Sequence, residues 1–379
     1  MGHKSRLEYL ASILKRYRHA GRRYKSKILD EFCTVCGHHR KHAIRLLSGK
    51  SPKRTRRPGR PSRYGKEEQA VMETIWLATN RLCSKRLRAA IPGWLPWYEL
   101  DHGGRLPEPV RTNLLNISPR TLDRLMQPVR KRHGCRGMCG TRPGRMFRLQ
   151  IPIKTEHPDV KNPGVMEADT VAHCWTSLSG SFMWSLTLTD IATTWTENRA
   201  VWNKGYAGVK RAIEDIEQDL PFAITDFHSD NGGEFLNHHL VDFLRERGRP
   251  VGITRGRPYH KDDTAHVEEK NNTHVRHLLG YQRIEDPELQ KPINALYRAW
   301  GIYNNLNIPS LKLVEKVKVG SRYIKRYDEP KTPYQRVMES PDVSEVMKTH
   351  LTEMVANINP FKLALRIETM RGDILSRLR

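Results

Sequence analysis

His228-Ser229-Asp230-Asn231-Gly232-Gly233-Glu234-Phe235 is the stretch whose reading decides the fold. The strand-like run 221–227 leads into it, so Asp230 falls where a strand ends and a glycine-rich turn begins. Working outward, Met166-Glu167-Ala168-Asp169-Thr170 lies upstream and Val267-Glu268-Glu269-Lys270-Asn271-Asn272 lies downstream. Asp169, Asp230 and Glu268 are separated by 230 − 169 = 61 and 268 − 230 = 38 positions. Carboxylates are hard oxygen ligands that suit Mg2+ or Mn2+. Transfer of a phosphodiester needs charge neutralised on both the attacking and the leaving oxygen, which two divalent ions about 3.5–4 Å apart accomplish. The acids therefore point to phosphoryl transfer with two Mg2+ (or Mn2+) ions per site. Two assignments stay open. Glu167 shares the strand face of Asp169, and Glu269 adjoins Glu268.

The three segments resemble the Asp-Asp-Glu catalytic core of retroviral integrases and the insertion-sequence transposases related to them, over roughly residues 155–310. Ser229-Asp230-Asn231-Gly232-Gly233-Glu234-Phe235 matches the second-acid motif, Arg257-Pro258-Tyr259 precedes the third acid, and Asn271 follows Glu268 at the i+3 position. Asp263 departs from the pattern, standing where many members carry glycine. The resemblance implies Asp169, Asp230 and Glu268 as catalytic metal ligands, with Asn231, Gly232 and Asn271 in support. It also implies a ribonuclease H-like α/β core, a mixed five-stranded sheet with flanking helices. Three strands, helix, strand, helix, strand and helix are readable in that order between 165 and 279.

The charge supplies the partner. The chain is 379 residues long with a net charge of +25, and residues 1–150 hold 35 Lys plus Arg against 10 Asp plus Glu. The remainder is neutral, 66 − 35 = 31 against 41 − 10 = 31. Such asymmetry points to a polyanion-binding half, and nucleic acid is the natural partner because each phosphate neutralised releases a counterion. No apolar run approaches the ~20 residues that span a bilayer, and no secretory signal is visible, so a membrane partner is not expected.

Residues 1–50 read as three helices, 5–20, 25–33 and 38–47, with a turn containing Gly37 before the last: a helix-turn-helix pattern. Arg40, Lys41 and Arg45 on the third helix are candidate DNA contacts; a plain three-helix packing unit is the alternative. The basic linker 51–65 carries Gly59-Arg60-Pro61, which suits either minor-groove entry by Arg60 or simple phosphate tracking. Residues 66–134 read as a second helix-turn-helix-like domain, in which Gly93-Trp94-Leu95-Pro96-Trp97 breaks the helical pattern. Ser118 caps a helix that points Arg120 and Arg124 outward. A hinge is expected over 135–154, the core over 155–310, and an extension of short strands then helices over 311–379. Tyr259, Lys261 and Lys270 flank the third acid and are further candidate DNA contacts. Cys33-x-x-Cys36 with His38, His39 and His42 lacks a full four-ligand spacing, so structural zinc is not expected.

The expectation is a bacterial DNA transposase in the cytoplasm, bound to the chromosome. It acts on double-stranded DNA, both its element's ends and the target, as a homo-oligomer assembled there. A transposase-derived DNA-binding protein without activity, or a nuclease of RNA or hybrid duplexes, are the alternatives.

Overall fold

The computed structural model describes residues 2–49, 63–102, 104–134, 160–229, 238–255, 267, 270–319 and 322–378. They divide into two compact units at Arg63/Tyr64.

The first unit holds α1 (His3–His19), α2 (Arg22–Cys36) and α3 (Arg40–Leu47). Ile13, Ile28, Leu29, Phe32, Cys36, Ala43 and Leu47 close its core. The turn before α3 is shorter than the sequence suggests. α2 continues through Cys36, and Gly37, at φ +67°, ends it in the left-handed region that a residue without a Cβ adopts freely. His39 then caps α3 by accepting the Lys41 N–H. Ile44 faces solvent at 41 % exposure.

The second unit is built on a five-stranded mixed sheet of order β3-β2-β1-β4-β5. β1 (Val165–Ala172), β2 (Met183–Asp190) and β3 (Thr196–Trp202) pair antiparallel. β4 (Asp226–Ser229) and β5 (Gly252–Arg255) add parallel to β1. α8 (Tyr206–Asp219) and α9 (His238–Glu246) make the connections between β3, β4 and β5. Their Val209, Ile213, Ile216, Leu240 and Leu244 pack on Met166, Ala168, Leu186, Leu188 and Phe227 from one sheet face. This arrangement is consistent with a ribonuclease H-like core. β4 begins five residues later than the apolar run 221–227 suggests, because that run first completes the packing under α8.

α4 (Lys66–Ala78), α5 (Ser84–Asp101), α6 (Glu108–Leu115) and α7 (Pro119–Arg132) form no core of their own. They share one with α10 (Gln290–Asn307) and α13 (Pro360–Ser376), in which Ile75, Trp76, Leu87, Trp94, Ile293, Leu296, Tyr297 and Ile367 are buried together. The physical cause is visible in α5, which runs unbroken through Pro92 and Pro96. A proline inside a helix costs roughly 3 kcal/mol. Full burial of Ile91, Trp94 and Leu95 opposes that cost, at about 1.5–3 kcal/mol for an aliphatic side chain. Trp94 Nε1–H donates to the Asn307 carbonyl at 3.1 Å, and Tyr303 Oη–H to the Ala78 carbonyl at 2.5 Å, tying α4 and α5 to α10. Ser118 caps α7 as expected, accepting the Thr121 N–H.

α10 also covers the free edge of β3. The Asn305 side chain accepts from Thr196 N–H and donates to Thr196 C=O, and Asn294 Oδ1 accepts from Ala200 N–H. The chain closes with the hairpin β6 (Leu313–Val319) and β7 (Arg322–Tyr327), then α11 (Pro333–Glu339), α12 (Glu345–Asn357) and α13. No described helix is long and apolar enough to cross a membrane.

Candidate active site

Side chains alternate across a strand, so Glu167, Asp169 and Val171 share the sheet face opposite Met166 and Ala168. On β2 the register places Thr189, Thr187 and Ser185 beside them. On β4, His228 is level with Glu167, and its Nδ1 lies 2.9 Å from Thr254 Oγ1. The face is polar and, at Glu167, Ser185, Thr187 and Thr189, fully buried.

A π-helical turn, Asn271–Arg276, continued by His277–Leu279, lies against β1. Its first side chain reaches the sheet: Asn271 Nδ2–H donates to Asp169 Oδ2 at 2.5 Å. The other carboxylate oxygen accepts the Thr170 N–H at 2.7 Å. Asn271 Oδ1 is buried without a hydrogen-bond partner among the described residues. At the far end of the turn, Arg276 donates to the Ala172 carbonyl at 3.1 Å. This one segment thus holds β1 at two points, the Asp169 side chain and the Ala172 carbonyl.

The two acids that β1 offers differ in setting. Glu167 is fully buried, and its Oε2 accepts the Val267 N–H at 3.1 Å. Asp169 is half-buried and lies one residue beyond Ala168, whose partner Ser229 is the last residue of β4. Behind them His173 Nε2 lies 2.8 Å from Ser185 Oγ, which lies 2.5 Å from Tyr297 Oη. Burial above all, with some help from Arg276, pushes the His173 pKa down to about 3, so the ring is neutral.

Among the sequence-selected site residues, Asp169 and Asn271 are brought into contact. Asp230, Asn231, Gly232, Tyr259, Lys261, Glu268 and Arg60 lie outside the described residues. Val267 and Lys270, on either side of Glu268 and Glu269, are helical. Lys41 and Arg45 are exposed on α3, and Arg120 and Arg124 on α7. Arg40 has a structural engagement: its guanidinium pairs with Asp30 and donates to Ser26 Oγ at 2.8 Å, joining α3 to α2. Among the described residues no three His, Cys, Asp or Glu side chains are grouped to hold a metal ion. Cys33 and Cys36 are free thiols, Cys36 buried in the first unit's core.

No family model matches the chain. Over 340 residues it is 40% identical to the uncharacterized protein y4rM of Sinorhizobium fredii (strain NBRC 101917 / NGR234), spanning 88% of this chain and 95% of that one. Among solved structures, the catalytic core domain of BIV integrase superposes loosely, with a TM-score of 0.29 and 16% identity, over 45% of this chain and 91% of that one.

Proposed function

We propose that this chain, which belongs to the family of the Sinorhizobium fredii y4rM protein, is a DNA transposase of the integrase type. It binds the ends of its own mobile element, cleaves there, and joins the freed 3′-hydroxyls to target DNA. The observation that carries the reading is the Asn271–Asp169 hydrogen bond. It joins two of the three acidic motif segments on one polar sheet face, beside the strand that leads into the third.

The described residues fit a divalent ion. Asp169 is a half-exposed carboxylate, and the buried, unpartnered Asn271 Oδ1 supplies a second hard oxygen beside it. Asp169, Asp230 and Glu268 would hold the ions. When bound, two Mg2+ or Mn2+ ions would neutralise the charge that builds on the attacking and leaving oxygens. The protein's own part is positioning. Asn271 hydrogen-bonds the Asp169 carboxylate, and Glu167 ties Val267 to β1 by accepting its N–H. Water attacks the phosphorus, the bond to the 3′-oxygen breaks, and a 3′-hydroxyl and a 5′-phosphate result. In the joining step that 3′-hydroxyl attacks a target phosphorus, the target's own P–O3′ bond breaks, and the target strand leaves with a free 3′-hydroxyl. Duplex DNA as the substrate is supported by the first unit, where Lys41 and Arg45 stand exposed on α3, and by the excess of positive charge before residue 150.

The test is strand cleavage and joining on DNA that spans the borders of the chain's own gene, with and without Mg2+ or Mn2+. Metal-dependent products from the wild type that vanish in Asp169→Asn and Asp230→Asn support the reading. Tight border binding without any metal-dependent product, from a folded wild-type chain, overturns it in favour of a DNA-binding protein.

A further inference from the structure

A cavity of about 360 Å³ opens where α5, the π-helical turn, the end of α10 and the segment before β6 meet. Arg86, Lys270 and Lys312 line it, together with the hydroxyls of Thr194, Thr273 and Ser310. No aspartate or glutamate is among its described lining residues. Main-chain carbonyls hold two of the cations in place. Arg86 Nε–H donates to Pro309 C=O at 2.5 Å, and Lys312 Nζ to Val160 and Ala192 C=O at 3.4 Å each.

His274 completes the wall. It is 3% exposed, and its Nδ1 is buried with no hydrogen-bond partner. Burial first, then the Lys270 and Arg86 charges, hold its pKa well below the ordinary value, so it lines the cavity as a neutral imidazole. Cations from three separate stretches of chain converge here on one space. An anion with several acceptor oxygens complements that concentration of positive charge. The volume admits a phosphate with an attached sugar.

We propose that this cavity binds a phosphate group. On the nucleic-acid reading of the Asp169 face, on which the source of that group rests, it is a backbone phosphodiester of the DNA being processed. A free phosphate or nucleotide offers the same chemistry.

Two arms on the full chain decide between them, with Arg86→Gln and Asn304→Asp as variants. Asn304 lines the cavity, so its replacement adds a negative charge and removes none of the cations. The first arm measures duplex DNA binding as a function of salt. Loss of one phosphate contact makes the slope of log K against log salt shallower by roughly 0.9. The second arm titrates inorganic phosphate in the absence of DNA, against chloride at equal ionic strength, and follows the melting temperature. The expected result is that phosphate raises the wild-type melting temperature and neither variant's. A shallower slope in both variants then identifies DNA as the source, and an unchanged slope identifies a free phosphate. If the chain binds no DNA, the nucleic-acid reading fails while the phosphate arm still reads the cavity. Melting that is indifferent to phosphate, with variant slopes equal to wild type, overturns the proposal.

Discussion

Asp169 and Asn271 stand 102 positions apart, and one side-chain hydrogen bond joins them. Removing the amide takes away one of the hydrogen bonds that orient the carboxylate. Asn271→Ala should lower metal-dependent strand cleavage about 10–100-fold, the usual cost of losing a group that orients a metal ligand. DNA affinity measured without metal should stay at the wild-type value; an equal fall in affinity would place Asn271 on the DNA instead. His173 gives a prediction in pH. Its pKa falls from the ordinary 6.5 to about 3 on folding. Between those values the unfolded chain takes up the proton, so the histidine's contribution to stability is complete above pH 6.5 and is lost as the pH falls toward 3. In chemical denaturation, the stability difference between wild type and His173→Gln should shrink below pH 6.5, by up to about 1.4 kcal/mol per pH unit. A pH-independent difference would show that His173 is not buried neutral. At this scale one contact was legible: motif spacing put Asp169 and Asn271 in one candidate site, and the fold brings their side chains together. The choice of Asp169 over Glu167 as the accessible acid was not legible. It depends on the Val267 N–H that Glu167 accepts from 100 positions away.

At the scale of elements, local signals were read well and tertiary ones poorly. The Ser118 cap and the three antiparallel strands follow from short-range pattern, whereas the start of β4 was read five residues early. The course of α5 through Pro92 and Pro96 does not, because the packing that tolerates those prolines comes from α10 and α13. No expectation covers α10, although Ile293, Leu296, Trp300 and Tyr303 recur at the steps of a buried helix face. Its importance shows at Gly301, where an added Cβ would lie 2.8 Å from Glu197 Oε2. Glu197 is buried, with Oε1 held by Trp195 Nε1–H at 3.0 Å and Asn305 Nδ2–H at 3.1 Å, so it has little room to yield. Exchanging glycine for alanine inside a helix normally stabilises by roughly 1 kcal/mol. Gly301→Ala should instead destabilise by about 1–3 kcal/mol in a denaturant titration, as overpacking does. A stabilised variant would mean that α10 and β3 are packed less closely.

For the whole molecule, the division that matters falls at Arg63/Tyr64. A chain cut there should fold: residues 64–379 keep every helix of the shared core and should melt in one cooperative transition. A chain begun near residue 155 loses Ile75, Trp76, Leu87 and Trp94 from around Tyr297 and Tyr303, and should aggregate or unfold. If that shorter piece melts cooperatively at the same temperature, the helices 66–132 are an independent module after all. The change of composition near residue 150 reports charge, and charge is a surface property. It could not reveal that the basic stretch also supplies half of a hydrophobic core. The coverage of β3 by α10 carries a last consequence, for how copies of the chain meet. A bare sheet edge invites a neighbouring molecule to extend the sheet. At Thr196 and Ala200 the main-chain groups are already taken by Asn305 and Asn294. Strand addition at that edge is therefore closed, and copies that associate along this flank must recognise one another by side-chain shape and charge, which a single surface substitution can retune.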